Sequence, residues 1–257
     1  MKKIFILFLF VQIPFLVKAQ TLSELQDSCY YYIEHNDTLS FNNAYVKIFN
    51  IFEQEMNPEI YSLKNELRKM GNNDQSIRIL LMDSQKKYGE TDLRTKNIRR
   101  IMNGIDSLNA GKVTQIIDKY GWLSSDDIGE EASDAIFLCI QHCSDATIQN
   151  KYLPVLEDAV KKGTVKGWQY AFLTDRCLMN QGKTQIYGTQ TILSKDKKTY
   201  LVPLQDIENV NKLRKEIGLE PLEEYLRSFG EDWSKEKYME ELPRCKEIYD
   251  NWYKNKK

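Results

Sequence analysis

The sequence predicts a mainly α-helical fold, a bundle or helical-repeat-like domain, with one small β-hairpin near residues 185–203. Three observations predict it. Apolar residues recur at helical spacing through most of the chain from Leu22 onward. Glycine and proline are few, 12 and 6 in 257 residues, and they punctuate periodic stretches instead of forming linkers. Only after Gly182 does the period change, to β-rich composition over 185–193 and 199–202 around a polar turn.

Taken in order, 22–35 and 41–55 read as an N-terminal pair of helices, rich in aromatic and aliphatic residues. Pro58 opens a helix over 59–70 that Gly71 ends. Asn72 or Asn73 caps the next, which carries Ile77, Leu80, Leu81, Ser84 and Tyr88 along one face until Gly89. A helix over 92–104 resumes over 105–120, and Gly121-Trp122-Leu123 is a loop with a turn at Ser125 or Asp126. The next helix, 129–142, buries Ala132, Ala135, Ile136, Cys139 and Ile140. Ser144 caps 145–162, Gly163 ends it, and 167–181 is a helix closed by Gly182. After the hairpin, Asp206 caps a helix to about 217, residues 221–229 start another, and 231–257 form a docked helix with a frayed end.

Four segments follow: a leader over 1–19, a helical extension over 20–66, a main domain over 67–229 and a charged aromatic tail over 230–257. The leader holds Lys2 and Lys3, then an apolar run broken by Gln12 and Pro14, then Val17-Lys18-Ala19 with small residues where a signal peptidase cuts. The run is shorter than a membrane-spanning helix requires. Residue 20 is Gln, so no thiol is offered for lipid attachment. The expectation is an exported protein, periplasmic or secreted, cleaved after Ala19 and retaining no membrane anchor.

Cleavage removes three lysines and no acid, leaving 33 basic and 37 acidic residues. That balance speaks against a nucleic-acid partner. Arg94, Lys96, Arg99 and Arg100 cluster locally, at a spacing that makes a solvated helix face. The five cysteines, Cys29, Cys139, Cys143, Cys177 and Cys245, cannot all pair internally, and Cys139 and Cys143 lie one helical turn apart. Buried free thiols are expected for Cys139 and Cys177. Without a CxxC there is no thiolate zinc site.

Three charged residues fall where helical spacing puts apolar neighbours. Asp175 is flanked by Ala171, Phe172, Leu178 and Met179, so its carboxylate needs a partner from another element. Arg176 points about 100° away around the helix and serves it poorly. Arg78 has Leu81 and Met82 one turn ahead and Asp74 one turn behind, which gives either a surface ion pair or a guanidinium aimed into a cleft. His142, one of 2 histidines, closes its helix with Asp145 three residues on to hold the ring.

Asn73-Asp74-Gln75-Ser76-Ile77-Arg78, Gly121-Trp122, Gln141-His142-Cys143-Ser144-Asp145, Leu173-Thr174-Asp175-Arg176 and Gln185-Ile186-Tyr187-Gly188-Thr189-Gln190 together resemble a bacterial family of domains of unknown function. Its pattern is DQxxR, GW, QHxD, a leucine-aspartate-arginine step and QxYGTQ. The resemblance covers 67–225, and Leu123 stands where the family often has proline. It implies no activity. It does imply that Asp74, Gln75, Arg78, His142, Asp145, Asp175, Arg176, Gln185, Tyr187 and Gln190 belong to one constellation, either a buried network or a pocket.

Two functions fit these residues. The favoured expectation is a non-catalytic binding or interaction module for a small-molecule, glycan or protein ligand, with Asp74, Gln75, Arg78, Gln185, Tyr187 and Gln190 as ligand contacts and Tyr187, Trp122 and Trp168 as presented aromatics. The alternative is an exported hydrolase or lyase. In it His142 is the acid/base, Asp145 orients it, Asp175 is a second carboxylate, and Arg78 or Arg176 stabilises an anion. No GxSxG elbow is present, one histidine with two carboxylates makes no metal site, and no cofactor is expected.

Overall fold

A computed structural model describes residues 16–194, 198–228, 230 and 232–256. The apolar leader up to residue 15 lies outside them, and the expected cleavage point after Ala19 falls within the first helix. Among the described residues the protein is mainly helical, with eleven helices and one two-stranded antiparallel sheet. None of those helices is long and apolar enough to cross a membrane. The chain forms two units, residues 1–63 and 64–257.

In the first unit α1 (Leu16–Glu34) and α2 (Thr38–Met56) pack as an antiparallel pair. Asp37 caps α2 by accepting from the Ser40 N–H, and Asn36 makes the turn at a φ of 54°. The pair buries Cys29 and Ala44 and leaves Tyr30, Leu39, Tyr45 and Phe49 exposed.

Most of α3 (Pro58–Tyr88) belongs to the second unit. It corrects one expectation: Gly71 does not end a helix but lies inside an unbroken one of 31 residues. Gly71 is buried, and a Cβ there would meet the Ala135 Cβ at 3.0 Å. The glycine therefore serves close helix packing. The next stretch is likewise one helix, α4 (Leu93–Tyr120), capped by Asp92 and closed at Gly121 with φ 76°. Asp106, Asn109, Ala110, Val113 and Ile117 form its buried stripe.

Ser124 and Asp127 bond reciprocally as a capping box for the single turn α5 (Ser125–Ile128). Helix α6 (Glu130–His142) buries all five residues expected of it. For α7 (Ala146–Lys161) the cap is Asp145, which accepts from Thr147, and not Ser144. Helix α8 (Gly167–Asn180) then packs against both α6 and α7.

The hairpin is shorter than its composition suggested. Strands β1 (Thr191–Leu193) and β2 (Thr199–Leu201) pair with Ile192 opposite Tyr200. Residues 185–190 are a folded loop joined to the rest by an isolated bridge between Gln185 and Leu204. Short helices α9 (Val210–Glu216) and α10 (Leu222–Arg227) precede α11 (Lys235–Lys256). Asp206 accepts from the Glu208 and Asn209 N–H groups ahead of α9, and Tyr238, Cys245 and Tyr249 dock α11.

Candidate functional site

Eight of the ten residues of the expected constellation fall into two groups, built on different elements, and Asp145 and Arg176 stand apart from both. The first group lies where α3, α4 and α6 meet. Asp74 is buried on α3, with a side chain only 1% exposed. His142, at the last position of α6, places Nδ1 3.0 Å from both Asp74 carboxylate oxygens. A carboxylate only accepts, so Nδ1 carries a proton, and in the neutral ring the lone pair is the one on Nε2. The His142 side chain is 22% exposed, and Asp74 is its one hydrogen-bond partner among the described residues.

Asp74 is itself held. The neighbouring Gln75 donates Nε2 to its Oδ2 at 2.8 Å, and Arg78 Nη2 stands 3.4 Å from its Oδ1. The same Arg78 Nη2 donates to both oxygens of Asp106 on α4 at 3.0 Å. Asp106, Arg78 and Asp74 therefore form a chain of alternating charge that ends on the partly exposed imidazole of His142. Arg78 resolves as neither a plain surface pair nor a free cleft guanidinium: it ties α3 to α4.

Asp106 escaped the sequence reading, although a signal existed. It extends the Ala110, Val113 and Ile117 stripe one turn back, so it is a carboxylate on an apolar face, as Asp175 is. Cys139 is buried on α6 close enough to feel both acids. Burial, with the charges of Asp74 and Asp106, pushes its thiol up to about 12. Burial also raises the Cys143 thiol. These thiols are held in the protonated, unreactive form. All five cysteines are free and buried.

Asp145 is not the residue that orients His142. It is exposed and spends its carboxylate on capping α7, accepting from the Thr147 N–H at 2.8 Å and hydroxyl at 2.6 Å. Those bonds hold its carboxyl below the usual range. Asp74, 68 positions earlier, takes the orienting place.

The second group surrounds the loop 185–190. Asp175, wholly buried on α8, accepts from the N–H groups of Ile186 at 2.8 Å, Tyr187 at 3.1 Å and Thr189 at 3.0 Å. The Thr189 hydroxyl adds a bond at 2.9 Å. Burial raises this carboxyl above its ordinary value against the lowering pull of those donors. The partner that Asp175 required is thus a loop backbone and not a cation.

Gln185 completes the clamp, donating to the carbonyls of Gln190 and Val202 and accepting from the Gln190 N–H at 2.8 Å. Gln190 donates to the Thr189 hydroxyl at 2.9 Å. From the other side Arg214, with no exposed surface, donates to the Tyr187 and Glu220 carbonyls at 2.6 Å and lies over the Tyr225 ring. Tyr225 donates its hydroxyl to the Thr189 carbonyl at 3.1 Å. Gly188 makes the turn at φ 72°, where a Cβ would meet Leu222 at 2.9 Å. Asp175 and Gln185 are saturated by the fold, and Gln190 spends its backbone N–H and its Nε2 within it. The Tyr187 phenol is half-buried and raised to about 12 by that burial.

Arg176 belongs with the first group electrically. It makes no ion pair among the described residues, and its Nε is enclosed without a hydrogen-bond partner. Loss of solvent and the charge of Arg78 lower its guanidinium from the usual value. Among the described residues no group of three or more His, Cys, Asp or Glu is arranged to hold a metal ion.

Set beside known proteins, residues 61–236 match the model of DUF6624, a family of unknown function. No curated protein and no solved structure matches the chain.

Proposed function

We propose that this chain, which belongs to the DUF6624 family, is an exported acid–base enzyme of the hydrolase or lyase class, with Nε2 of His142 as the proton-transferring atom. The observation that carries the reading is the Asp74–His142 pair. A buried carboxylate accepts from Nδ1 and fixes the ring orientation, and Nε2 has no hydrogen-bond partner among the described residues on a side chain that is 22% exposed.

The surroundings narrow the chemistry. The nearby thiols are held protonated, so they are poor nucleophiles. No hydroxyl or thiol bonds the ring among the described residues, which leaves water activation or direct proton abstraction as the work of Nε2. Asp74 is the positioning residue, and the Arg78 and Asp106 pair holds it in place.

The test is a screen of the mature chain against ester, phosphate-ester, glycoside and β-eliminating substrates, with His142→Ala and Asp74→Asn beside it. Any turnover is expected to fall by about a hundredfold or more in His142→Ala while the variant stays folded. Turnover equal to wild type in His142→Ala overturns the reading.

A second reading, a non-catalytic binding module, is favoured by the enclosed donors Arg78 Nη1 and Arg176 Nε, which have no acceptor among the described residues, while Asp175 and Gln185 are spent within the fold and are not its ligand contacts. On that reading the His142 group captures a ligand without converting it, and the same screen returns binding but no turnover.

A further inference from the structure

We propose that Arg176, together with the unused edge of Arg78, binds an anionic group of the ligand, a phosphate or a carboxylate, beside Nε2 of His142. The inference rests on the His142 site described above and names the class of molecule it takes.

Position comes first. Gln169 near the start of α8 donates to Asp134 near the start of α6 at 2.7 Å. Asn180 at the end of α8 donates to Gln149 at 2.6 Å, and Gln149 donates in turn to the carbonyls of Ile140, Gln141 and Cys143 at the end of α6. The two helices therefore run side by side in the same direction, start with start and end with end. Arg176, seven residues after Gln169, lies level with the last turn of α6, where His142 stands. Phe172, one turn before Arg176, packs edge-on to Tyr225 at 6.0 Å and marks that flank of the site.

Charge comes second. Arg78 already faces Asp74 and Asp106, so those two carboxylates are committed. Asp175, adjacent in sequence, is turned to the loop and saturated by it. Arg176 is the surplus cation, and a largely enclosed guanidinium stays charged at any physiological pH. The charge that bears on it most is that of Arg78, which is repulsive. An anion between the two relieves that repulsion.

Donors come third. Arg176 Nε and Arg78 Nη1 are enclosed N–H groups with no acceptor in the protein. Asn109 Nδ2, three residues beyond Asp106 on the same buried stripe of α4, is a third. Enclosed donors without acceptors are costly, and oxyanions supply several acceptors at once.

The experiment is calorimetric titration of the mature chain with inorganic phosphate and, separately, with acetate, repeated on Arg176→Gln, Arg176→Lys and His142→Ala, with thermal melts to establish folding. Wild type is expected to bind at least one of the two anions. Arg176→Gln should weaken that binding about tenfold or more, and Arg176→Lys should weaken it less, because it keeps the charge but loses the fork. The stronger of the two anions identifies the group as phosphate-like or carboxylate-like. Failure of both anions to bind wild type at millimolar concentration overturns the proposal. So does affinity in Arg176→Lys and Arg176→Gln within about twofold of wild type. Anion binding by wild type, with turnover that is unchanged in His142→Ala, supports the anion site while removing the acid–base reading. Turnover without anion binding does the reverse.

Discussion

Nδ1 of His142 stands 3.0 Å from both oxygens of the Asp74 carboxylate, so the ring is fixed in its plane by a group that is itself 1% exposed. Removing each partner should have unequal effects. His142→Ala leaves Asp74 with Gln75 and Arg78 and should cost on the order of 1 kcal/mol of stability. Asp74→Ala strands the imidazole and half of the Arg78 pairing and should cost about 3 kcal/mol. Urea denaturation of both variants and the double variant measures the coupling. Equal costs, with no coupling, would show that the pair is not a unit.

Asp175→Asn replaces an acceptor by a group that must point an amide N–H into four converging donors. The expected loss is on the order of 3 kcal/mol, read as a lower melting temperature. Activity or ligand binding per folded molecule should change little, since the residue holds a loop. A variant as stable as wild type would contradict the clamp.

Gly71→Val should destabilise by about 1 to 3 kcal/mol, because even a Cβ meets Ala135 at 3.0 Å and the added methyls have nowhere to go. Pairing it with Ala135→Gly should return part of the loss. An unchanged melting temperature in Gly71→Val would show that α3 and α6 are not closely packed there.

The buried thiols predict an alkaline limit to stability. Burial raises Cys139 to about 12 and Cys177 and Cys245 to about 11, from an ordinary 9.0. In the unfolded chain these thiols ionise near their ordinary value, while in the folded chain they resist. Their contribution is fully present below about pH 9 and is lost as pH rises toward 11 to 12, with a slope of at most roughly 1.4 kcal/mol per pH unit for each thiol. Denaturant midpoints measured at successive pH values check this, and a midpoint that holds steady through that window would refute it. Alkylation of native protein near neutral pH should be slow at all five cysteines and fast after unfolding.

The helical class, the order of the elements and the buried face of α6 were legible because period and burial agree there. Gly71 misled because a glycine that stops a helix and one that lets a helix approach are the same letter, and only the facing Ala135 separates them. Residues 185–190 misled because β-branched and aromatic residues suit any tightly held extended backbone. What bends this stretch into a loop is a carboxylate ten residues earlier, on another element. In the site, His142, Asp74, Gln75 and Arg78 were nameable, but the pairing of His142 was not. Asp145 is near in sequence and Asp74 is near in space. Asp106 and Arg214 were missed although each sits on a buried helical stripe, where a charge calls for a partner.

The two polar groups differ in how far along the chain they reach. The bonds of Asp175 to its loop join residues 11 to 14 apart, whereas the Asp74–His142 bond joins residues 68 apart. Closing a longer loop costs more entropy and waits on more of the chain. The loop clamp is therefore a local folding event, and the histidine site completes only once α3 and α6 have met. Pulse-labelled hydrogen exchange should find the amides of Ile186, Tyr187 and Thr189 protected before the native environment of His142 appears. Simultaneous protection would mean that the clamp and the site form in one step.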